Sequence, residues 1–276
     1  MIITADYHLH SSFSGDSDTP MEEMILKGID LGLKTMCFTE HNDFDYPITE
    51  QDSEGRFEIN PDSYLYDLIK YKEKYADRIK ILFGIELGLQ PHISKKNAAF
   101  AKAHEYDFII ASSHLCNGQD PYYPEFFEGK TLEEAYREYY VSILENIKAF
   151  SNFDVYGHLE YIFRYGPGRD GSFAYEQYQD IIDKILDKLI SDGKGIELNT
   201  KTLADTGVTG AFENSPCIAI LRRYRELGGE IVTVGSDAHT PDKIAANYDT
   251  AVSILTDCGF KYYTTFEKRS ATFHKI

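Results

Sequence analysis

Two histidines separated by a single residue mark the first place where this chain could do chemistry. His8 and His10 stand in the segment Asp6-Tyr7-His8-Leu9-His10. On a β-strand, residues i and i+2 point to the same face, so both imidazoles can converge on one metal ion. The pair alone is weak evidence, because two hydrogen-bonded core histidines would give the same pattern.

Further histidines and carboxylates stand in the same relation to short apolar runs along the chain. Glu86 lies inside a run, where an unpaired carboxylate would be costly. The others follow the end of a run, and they are His41, His114, His158, Asp237 and His239. Imidazole and carboxylate are the ligands that zinc, manganese and iron share, so the pattern predicts a metal centre. Asp16, in the loop 11–19, can join this set, but a solvated turn residue would look the same.

The elements that must position these residues are short strands alternating with helices. The apolar runs cover residues 2–9, 35–39, 79–89, 108–113, 153–157, 195–198 and 231–235. Runs of this kind are typical of strands buried on both faces of a parallel sheet. Seven strand–helix alternations favour a closed or nearly closed (β/α) barrel, at whose one mouth the strand ends and their histidines would meet. No GxGxxG follows the first strand, which argues against a doubly wound dinucleotide-binding sheet.

Helix starts are marked by capping residues next to prolines. Thr19, Asn60, Ser215 and Thr240 each precede a proline. This arrangement predicts a helix whose first residue is that proline. Thr131 and Glu134 have the spacing of a capping box, which predicts one more helix start.

Composition sets the class of protein. The chain has 276 residues with 42% hydrophobic residues and a formal net charge of −17, and no linker divides it. We therefore expect one domain over residues 1–276, and we do not expect nucleic acid as a partner. No segment has the length of a membrane span or the layout of a signal peptide, so we expect a cytoplasmic protein without a membrane partner. The four cysteines are widely spaced, which is typical of buried thiols.

In this order the motifs resemble those of the PHP (polymerase and histidinol phosphatase) family. The resemblance runs from residue 6 to about residue 260 and rests on His8-x-His10, Thr39-Glu40-His41, Glu86, His114, Gly157-His158 and Ser236-Asp237-Ala238-His239. Within the family, the position of Asp16, the segment Gly157-His158-Leu159-Glu160-Tyr161 with Arg164-Tyr165, and Glu197-Leu198-Asn199-Thr200 are similar to the histidinol-phosphatase branch.

The resemblance implies a distorted, TIM-like (β/α)7 barrel with a trinuclear metal site. Carried over by position, the first ion would be held by His8, His10, Glu86 and Asp237. Glu86 would bridge to a second ion, which would also bind His114 and His158. The third ion would be held by Asp16, His41 and His239. Glu86, Asp237 and His239 are also the expected catalytic residues, and two to three zinc, manganese or iron ions are the expected cofactors.

The expected substrate contacts are Arg164, Asn199 and Lys201. Arg164 follows His158 by six residues and could bind phosphate, although a surface ion pair is the alternative. Asn199 could orient the substrate or make a loop hydrogen bond. Lys201 stands where a second phosphate-binding cation is expected, and lysine lacks the planar fork of arginine. Arg169 is a further candidate in the segment Gly166-Pro167-Gly168-Arg169.

One departure from the family pattern lies beside these residues. Glu160 replaces the aspartate that often follows Gly-His-Leu in the family, and its role is left open.

Several divalent ions in one cavity suit hydrolysis of a phosphate ester. A bridging water loses a proton near neutral pH and attacks phosphorus in line, while the ions stabilise charge on the oxygens. The sequence lacks a Cys-x5-Arg loop, which argues against a covalent cysteine phosphatase.

The sequence thus predicts a metal-dependent phosphatase that resembles the enzymes acting on L-histidinol phosphate in histidine synthesis. The alternatives are a protein-tyrosine phosphatase or a phosphodiesterase of the same family, and a metal-binding module without activity.

Overall fold

A parallel sheet of eight strands is the centre of the computed structural model, which describes residues 2–166, 174–205 and 215–276. Its strands run in the order β1-β2-β4-β5-β6-β7-β8, and β3 pairs with the end of β4. The strands are β1 (Ala5–Asp6), β2 (Thr35–Phe38), β3 (His41–Asn42), β4 (Lys80–Gly88), β5 (Phe108–Ser112), β6 (Val155–Tyr156), β7 (Gly195–Asn199) and β8 (Val232–Gly235). Each of the seven apolar runs coincides with one strand of the continuous path, as predicted, and β7 extends one residue beyond its run.

The first and last strands of this path close the sheet into a barrel. The amide of Tyr7 donates to the carbonyl of Val234 at 3.2 Å. Just beyond the ends of these two strands, Asp237 N donates to His8 O at 2.7 Å and His10 N donates to Ala238 O at 2.9 Å. These bonds confirm the predicted TIM-like barrel of seven strands, with β3 as an addition at its rim.

Helices surround the barrel and connect successive strands. They are α1 (Met21–Asp30), α2 (Pro61–Lys74), α3 (Ser94–Ala103), α4 (Leu132–Ala149), α5 (Tyr175–Ser191), α6 (Thr200–Asp205), α7 (Pro216–Glu226) and α8 (Tyr248–Asp257). Short 3-10 helices cover Pro91–Ile93, Pro124–Phe127, Tyr161–Arg164 and Pro241–Lys243. Within the described part of the chain, no helix is long and apolar enough to cross a membrane.

Two of the predicted helix caps are present. The side chain of Asn60 accepts a hydrogen bond from Ser63 N at the start of α2, and Thr131 and Glu134 form a capping box at the start of α4. Both helices begin within one residue of the predicted position.

At the other three positions no side-chain cap bond forms, although α7 begins at Pro216 as predicted. Thr19 does not cap α1, because its hydroxyl donates instead to the carbonyl of His239 at 2.9 Å. Ser215 precedes α7 without a side-chain cap bond, and Thr240 precedes only the 3-10 helix Pro241–Lys243.

A C-terminal hairpin, which the sequence pattern did not predict, covers the opposite end of the barrel from the histidines. It consists of β9 (Tyr262–Glu267) and β10 (Ser270–Lys275), paired antiparallel. Its turn lies against the residues that precede β5 and β6. The amide of Arg269 donates to Asp107 O at 2.9 Å, and its side chain forms an ion pair with Asp154. All four cysteines are buried and free, in agreement with the sequence prediction.

A candidate metal centre at the barrel mouth

The predicted ligands all lie at the carboxyl ends of the barrel strands. His8 and His10 follow β1, and the other residues follow or occupy the strands in turn. All but two of the nine are buried, the exceptions being the exposed Asp16 and the partly exposed His239. The structure brings together the whole predicted set: His8, His10, Asp16, His41, Glu86, His114, His158, Asp237 and His239.

Glu86 occupies the middle of this set. Its Oε2 lies 3.2 Å from His8 Nε2 and 2.9 Å from His41 Nδ1. Its Oε1 lies 2.9 Å from His158 Nε2 and 3.2 Å from His114 Nε2. Four imidazoles thus surround one carboxylate.

Asp16 lies at the outer side of the centre. Its Oδ2 is 3.1 Å from His239 Nε2 and 3.6 Å from His41 Nε2. The ring of His10 stacks on both of these imidazoles, with centroid distances of 4.1 Å to His41 and 4.3 Å to His239. Asp16 therefore contacts both other members of the predicted third group, while the ligand atoms of His10, His41 and His239 lie within 4.8 Å of one another.

The residues present fit metal ions. Buried polar atoms in proteins nearly always have a hydrogen-bond partner. Here five atoms that face the centre are buried and have no hydrogen-bond partner in the described part of the chain: His8 Nε2, His10 Nε2, His41 Nδ1, Glu86 Oε2 and His239 Nε2. Candidate ligand atoms in groups of three lie within 4.8 Å of one another. Metal ions would satisfy these atoms, and the mixture of imidazole and carboxylate suits zinc, manganese or iron.

The outward nitrogens of three histidines are held by residues that the sequence analysis did not assign. His8 Nδ1 lies 2.6 Å from Glu197 Oε1, and His114 Nδ1 lies 2.8 Å from Asp43 Oδ1. Bonds of this kind fix which ring nitrogen carries the proton and leave the other free for a metal. Glu197 could have been found, because it is a carboxylate inside an apolar run, as Glu86 is. The third partner is a serine, described below.

The electrostatics of the centre keep its carboxylates charged. Burial alone would raise the pKa of Glu86, but the imidazoles of His8, His114 and His41 hold the pKa of this carboxyl well below its usual range. Burial would likewise raise the pKa of Asp237, which the nearby cations and His8 hold well below its usual value. Ionised carboxylates are the form that binds metal.

Arg164 lies beside Asp237. Its Nη1 donates to Asp237 Oδ2 at 2.9 Å and its Nε donates to Thr202 Oγ1 at 3.1 Å. Its Nη2 is buried and has no hydrogen-bond partner among the described residues. The alternative of a surface ion pair is therefore wrong, because the guanidinium is only 3% exposed.

Lys201 and Asn199 also contact Asp237. Lys201 Nζ lies 3.3 Å from Asp237 Oδ1, and this side chain lines the cavity together with Arg164. The two amide hydrogens of Asn199 are directed to Glu197 Oε2 and Asp237 Oδ2, at 3.1 Å and 3.2 Å. Asn199 thus contacts the carboxylate of Asp237 and is not one of the described residues that line the cavity. Arg169 lies outside the described residues.

The centre opens into a cavity of about 250 Å³. Its wall away from the metal centre carries tyrosines and two aspartates. Asp120 accepts hydrogen bonds from Tyr46 OH at 2.6 Å and Tyr161 OH at 3.1 Å. Asp52 forms an ion pair with Arg56, whereas Asp120 has no cationic side chain paired with it among the described residues. Burial raises the pKa of Asp120.

Comparison with known proteins shows the family to which this chain belongs. The PHP domain model matches residues 6–201, and the chain belongs to the PHP domain family.

Its relatives include proteins named histidinol-phosphatase. The chain is 33% identical over 262 residues to the histidinol-phosphatase of Lactococcus lactis, covering 95% of this chain and 93% of that protein. It is 34% identical to a probable histidinol-phosphatase of Clostridium acetobutylicum, covering 96% and 97% of the two chains. The crystal structure of histidinol phosphate phosphatase from Lactococcus lactis, complexed with zinc, L-histidinol and phosphate, matches with a TM-score of 0.87 at 30% identity. That match covers 99% of this chain and 100% of the other.

Proposed function

We propose that this protein is a metal-dependent phosphoric monoester hydrolase that converts L-histidinol phosphate to L-histidinol and phosphate. The observation that carries the proposal is the position of Arg164 and Lys201, two cations that line the same cavity as the candidate metal centre. The relatives named above support the choice of substrate.

The centre would hold two to three divalent ions of zinc, manganese or iron. We assign the ligands as the resemblance implies: His8, His10, Glu86 and Asp237 for one ion, Glu86, His114 and His158 for a second, and Asp16, His41 and His239 for a third. When bound, such ions supply an activated water and stabilise charge on the phosphate oxygens.

The catalytic assignments are Glu86, Asp237 and His239. Glu86 is shared by four imidazoles and keeps the two inner ligand groups at a fixed separation. Asp237 is oriented by Arg164, Lys201 and Asn199, which together contact both of its oxygens.

His239 is fixed through its main chain. The hydroxyls of Ser17 and Thr19 donate to its carbonyl at 2.8 Å and 2.9 Å. Its Nδ1 lies 2.9 Å from the carbonyl of Asp237, which leaves Nε2 directed to Asp16. His239 thus contacts Asp16, a member of the third ligand group, through Nε2 and the main chain of Asp237, a member of the first group, through Nδ1.

Phosphate would be bound by Arg164 and Lys201. The unpartnered Nη2 of Arg164 is a donor without an acceptor in the described protein, and a phosphate oxygen would satisfy it. Lys201 is one-third exposed and adds a second positive charge at the same side of the cavity. Asn199 stays a predicted substrate contact, but its hydrogen bonds suit the positioning of Asp237 better.

The other wall of the cavity favours a substrate that carries a cation. Asp120 accepts its hydrogen bonds from neutral donors among the described residues, and the tyrosines around it supply apolar faces. L-Histidinol phosphate has an imidazole at the end away from its phosphate and an ammonium group on the carbon between them. Such a substrate matches cations at one side of the cavity and an anion at the other.

The experiment that tests the proposal compares three substrates on purified protein. Hydrolysis of histidinol phosphate should exceed hydrolysis of a phosphotyrosine peptide and of a short oligonucleotide by orders of magnitude. The net charge of −17 makes the oligonucleotide the poorest substrate. Preferred hydrolysis of either alternative would contradict the proposal, and no activity on any of the three would indicate a metal-binding module.

Metal content tests the number of ions. Elemental analysis of protein that has not met a chelator should give between two and three equivalents, because nine ligands with one shared carboxylate suit three ions. One equivalent or fewer would contradict the trinuclear assignment. A cytoplasmic location is part of the same proposal, and cell fractionation tests it.

A further inference from the structure

The loop between β1 and α1 contains a serine whose hydroxyl contacts two of the metal-centre histidines. Ser14 Oγ lies 3.0 Å from His10 Nδ1 and accepts a hydrogen bond from His41 N at 3.0 Å. The same oxygen donates to Glu40 Oε2 at 2.6 Å. Ser14, His10 and Glu40 are all buried.

The donors and acceptors at Ser14 can be counted. A hydroxyl has one hydrogen to donate and two lone pairs that accept. The Glu40 carboxylate only accepts, so the hydroxyl hydrogen of Ser14 goes to it. The amide of His41 only donates, so it takes one lone pair. The second lone pair faces His10, and Nδ1 of that ring must therefore carry its proton.

We propose that Ser14, whose hydroxyl is oriented by the buried carboxylate of Glu40, is a positioning residue of the metal centre, which fixes the proton of His10 on Nδ1 and holds the main chain of His41. The inference rests on the metal centre proposed above. Its consequence is that Nε2 of His10, which is buried and has no hydrogen-bond partner among the residues that the structure describes, is kept free of a proton and available to a metal.

Glu40 ties this arrangement to the rest of the centre. Its Oε1 accepts from Ser11 Oγ at 2.5 Å, and both of its oxygens accept from Ser11 N. Its carbonyl accepts from the amide of Glu86 at 3.0 Å. One buried residue therefore positions the loop that carries Asp16, the ring of His10 and the main chain of the central carboxylate. Removing a group that hydrogen-bonds to a metal-binding histidine commonly lowers metal affinity 10–100-fold.

The test compares Ser14→Ala with Ser11→Ala. Each variant removes one hydroxyl that donates to Glu40, but only Ser14 contacts an imidazole. Zinc affinity, measured by competition with a chelator, should fall at least about tenfold in Ser14→Ala and less than threefold in Ser11→Ala. Ser14→Thr keeps the hydroxyl and should restore most of the affinity.

A second measurement does not depend on metal or activity. Two-bond proton–nitrogen correlation spectra of the metal-free protein report which ring nitrogen of His10 is protonated. Wild type and Ser11→Ala should show a proton on Nδ1, and Ser14→Ala should show a mixture of the two forms. Unchanged zinc affinity in Ser14→Ala, or a wild-type His10 protonated on Nε2, would overturn the inference. Wild-type protein that binds zinc but does not hydrolyse histidinol phosphate would contradict the proposed function alone.

Discussion

The carboxylate of Asp43 lies in the space that a side chain on Gly88 would fill. A methyl group on Gly88, at the end of β4, would lie 1.8 Å from Asp43 Oδ1. The same oxygen lies 2.8 Å from His114 Nδ1. Gly88→Ala should therefore displace Asp43, release the ring of His114 and weaken zinc binding about tenfold, which a chelator competition measures.

The matched control for this substitution is Gly28→Ala in α1. Its methyl group would lie 2.2 Å from Met36 Sδ, so the substitution introduces a comparable clash that does not involve a residue of the metal centre. It should lower the melting temperature and leave zinc affinity unchanged. Equal loss of affinity in both variants would show that Gly88 acts through general stability.

Glu86→Ala should be more harmful than Asp16→Ala. The first removes a carboxylate that four imidazoles share, whereas the second removes one exposed group at the outer side of the centre. We expect Glu86→Ala to lose activity and most of its bound metal, and Asp16→Ala to lose at most one equivalent. Elemental analysis with parallel kinetics decides this. A full metal load in Glu86→Ala would contradict the bridging assignment.

Arg164→Ala should keep its metals and lose about 10²-fold in kcat/KM toward histidinol phosphate, because a buried donor to phosphate is removed. Arg164→Lys should recover part of the loss, since a point charge replaces a planar fork. Arg137→Ala is the control, because its ion pair with Asp180 is exposed and its loss should change kcat/KM less than a few-fold. A similarly small effect in both Arg164 variants would indicate that Lys201 or Arg169 binds the phosphate instead.

Asp120→Asn should raise KM for histidinol phosphate about tenfold or more, since a charged contact to the ammonium group becomes neutral. Hydrolysis of p-nitrophenyl phosphate, which carries no cation, should be unaffected. Asp52→Asn is the matched control, because Arg56 already neutralises that carboxylate. Equal effects of Asp120→Asn on both substrates would mean that Asp120 supports the cavity instead of recognising the substrate.

The sequence predicts the barrel strands well because a strand buried on both faces must be apolar along its whole length. The pattern misses β3, because this strand is only two residues long and both of them, His41 and Asn42, are polar. It also misses the C-terminal hairpin. Its second strand is mostly exposed and shows no run of apolar residues, and its position depends on Asp107 and Asp154 far away in the chain.

The residues that surround the candidate ligands are harder to predict than the ligands themselves. Ser14, Glu40 and Asp43 are ordinary loop or strand-end residues by type, and their partners are set by how separate loops pack at the barrel mouth. Arg164 illustrates the same limit. Its residue type indicates phosphate binding, but its burial against Asp237 follows only from the folding of the segment after β6.

The closure of the barrel has a consequence for the whole fold. Few main-chain bonds join its first and last strands, and those beside His8 and His10 run to residues 237 and 238. An ion held by His8 and Asp237 would be a cross-link across this seam, between segments from opposite ends of the chain. Because a ligand that binds only the folded state stabilises it, the ions would also keep the barrel shut. Metal-depleted protein would then open first along this seam, while its helices remain folded.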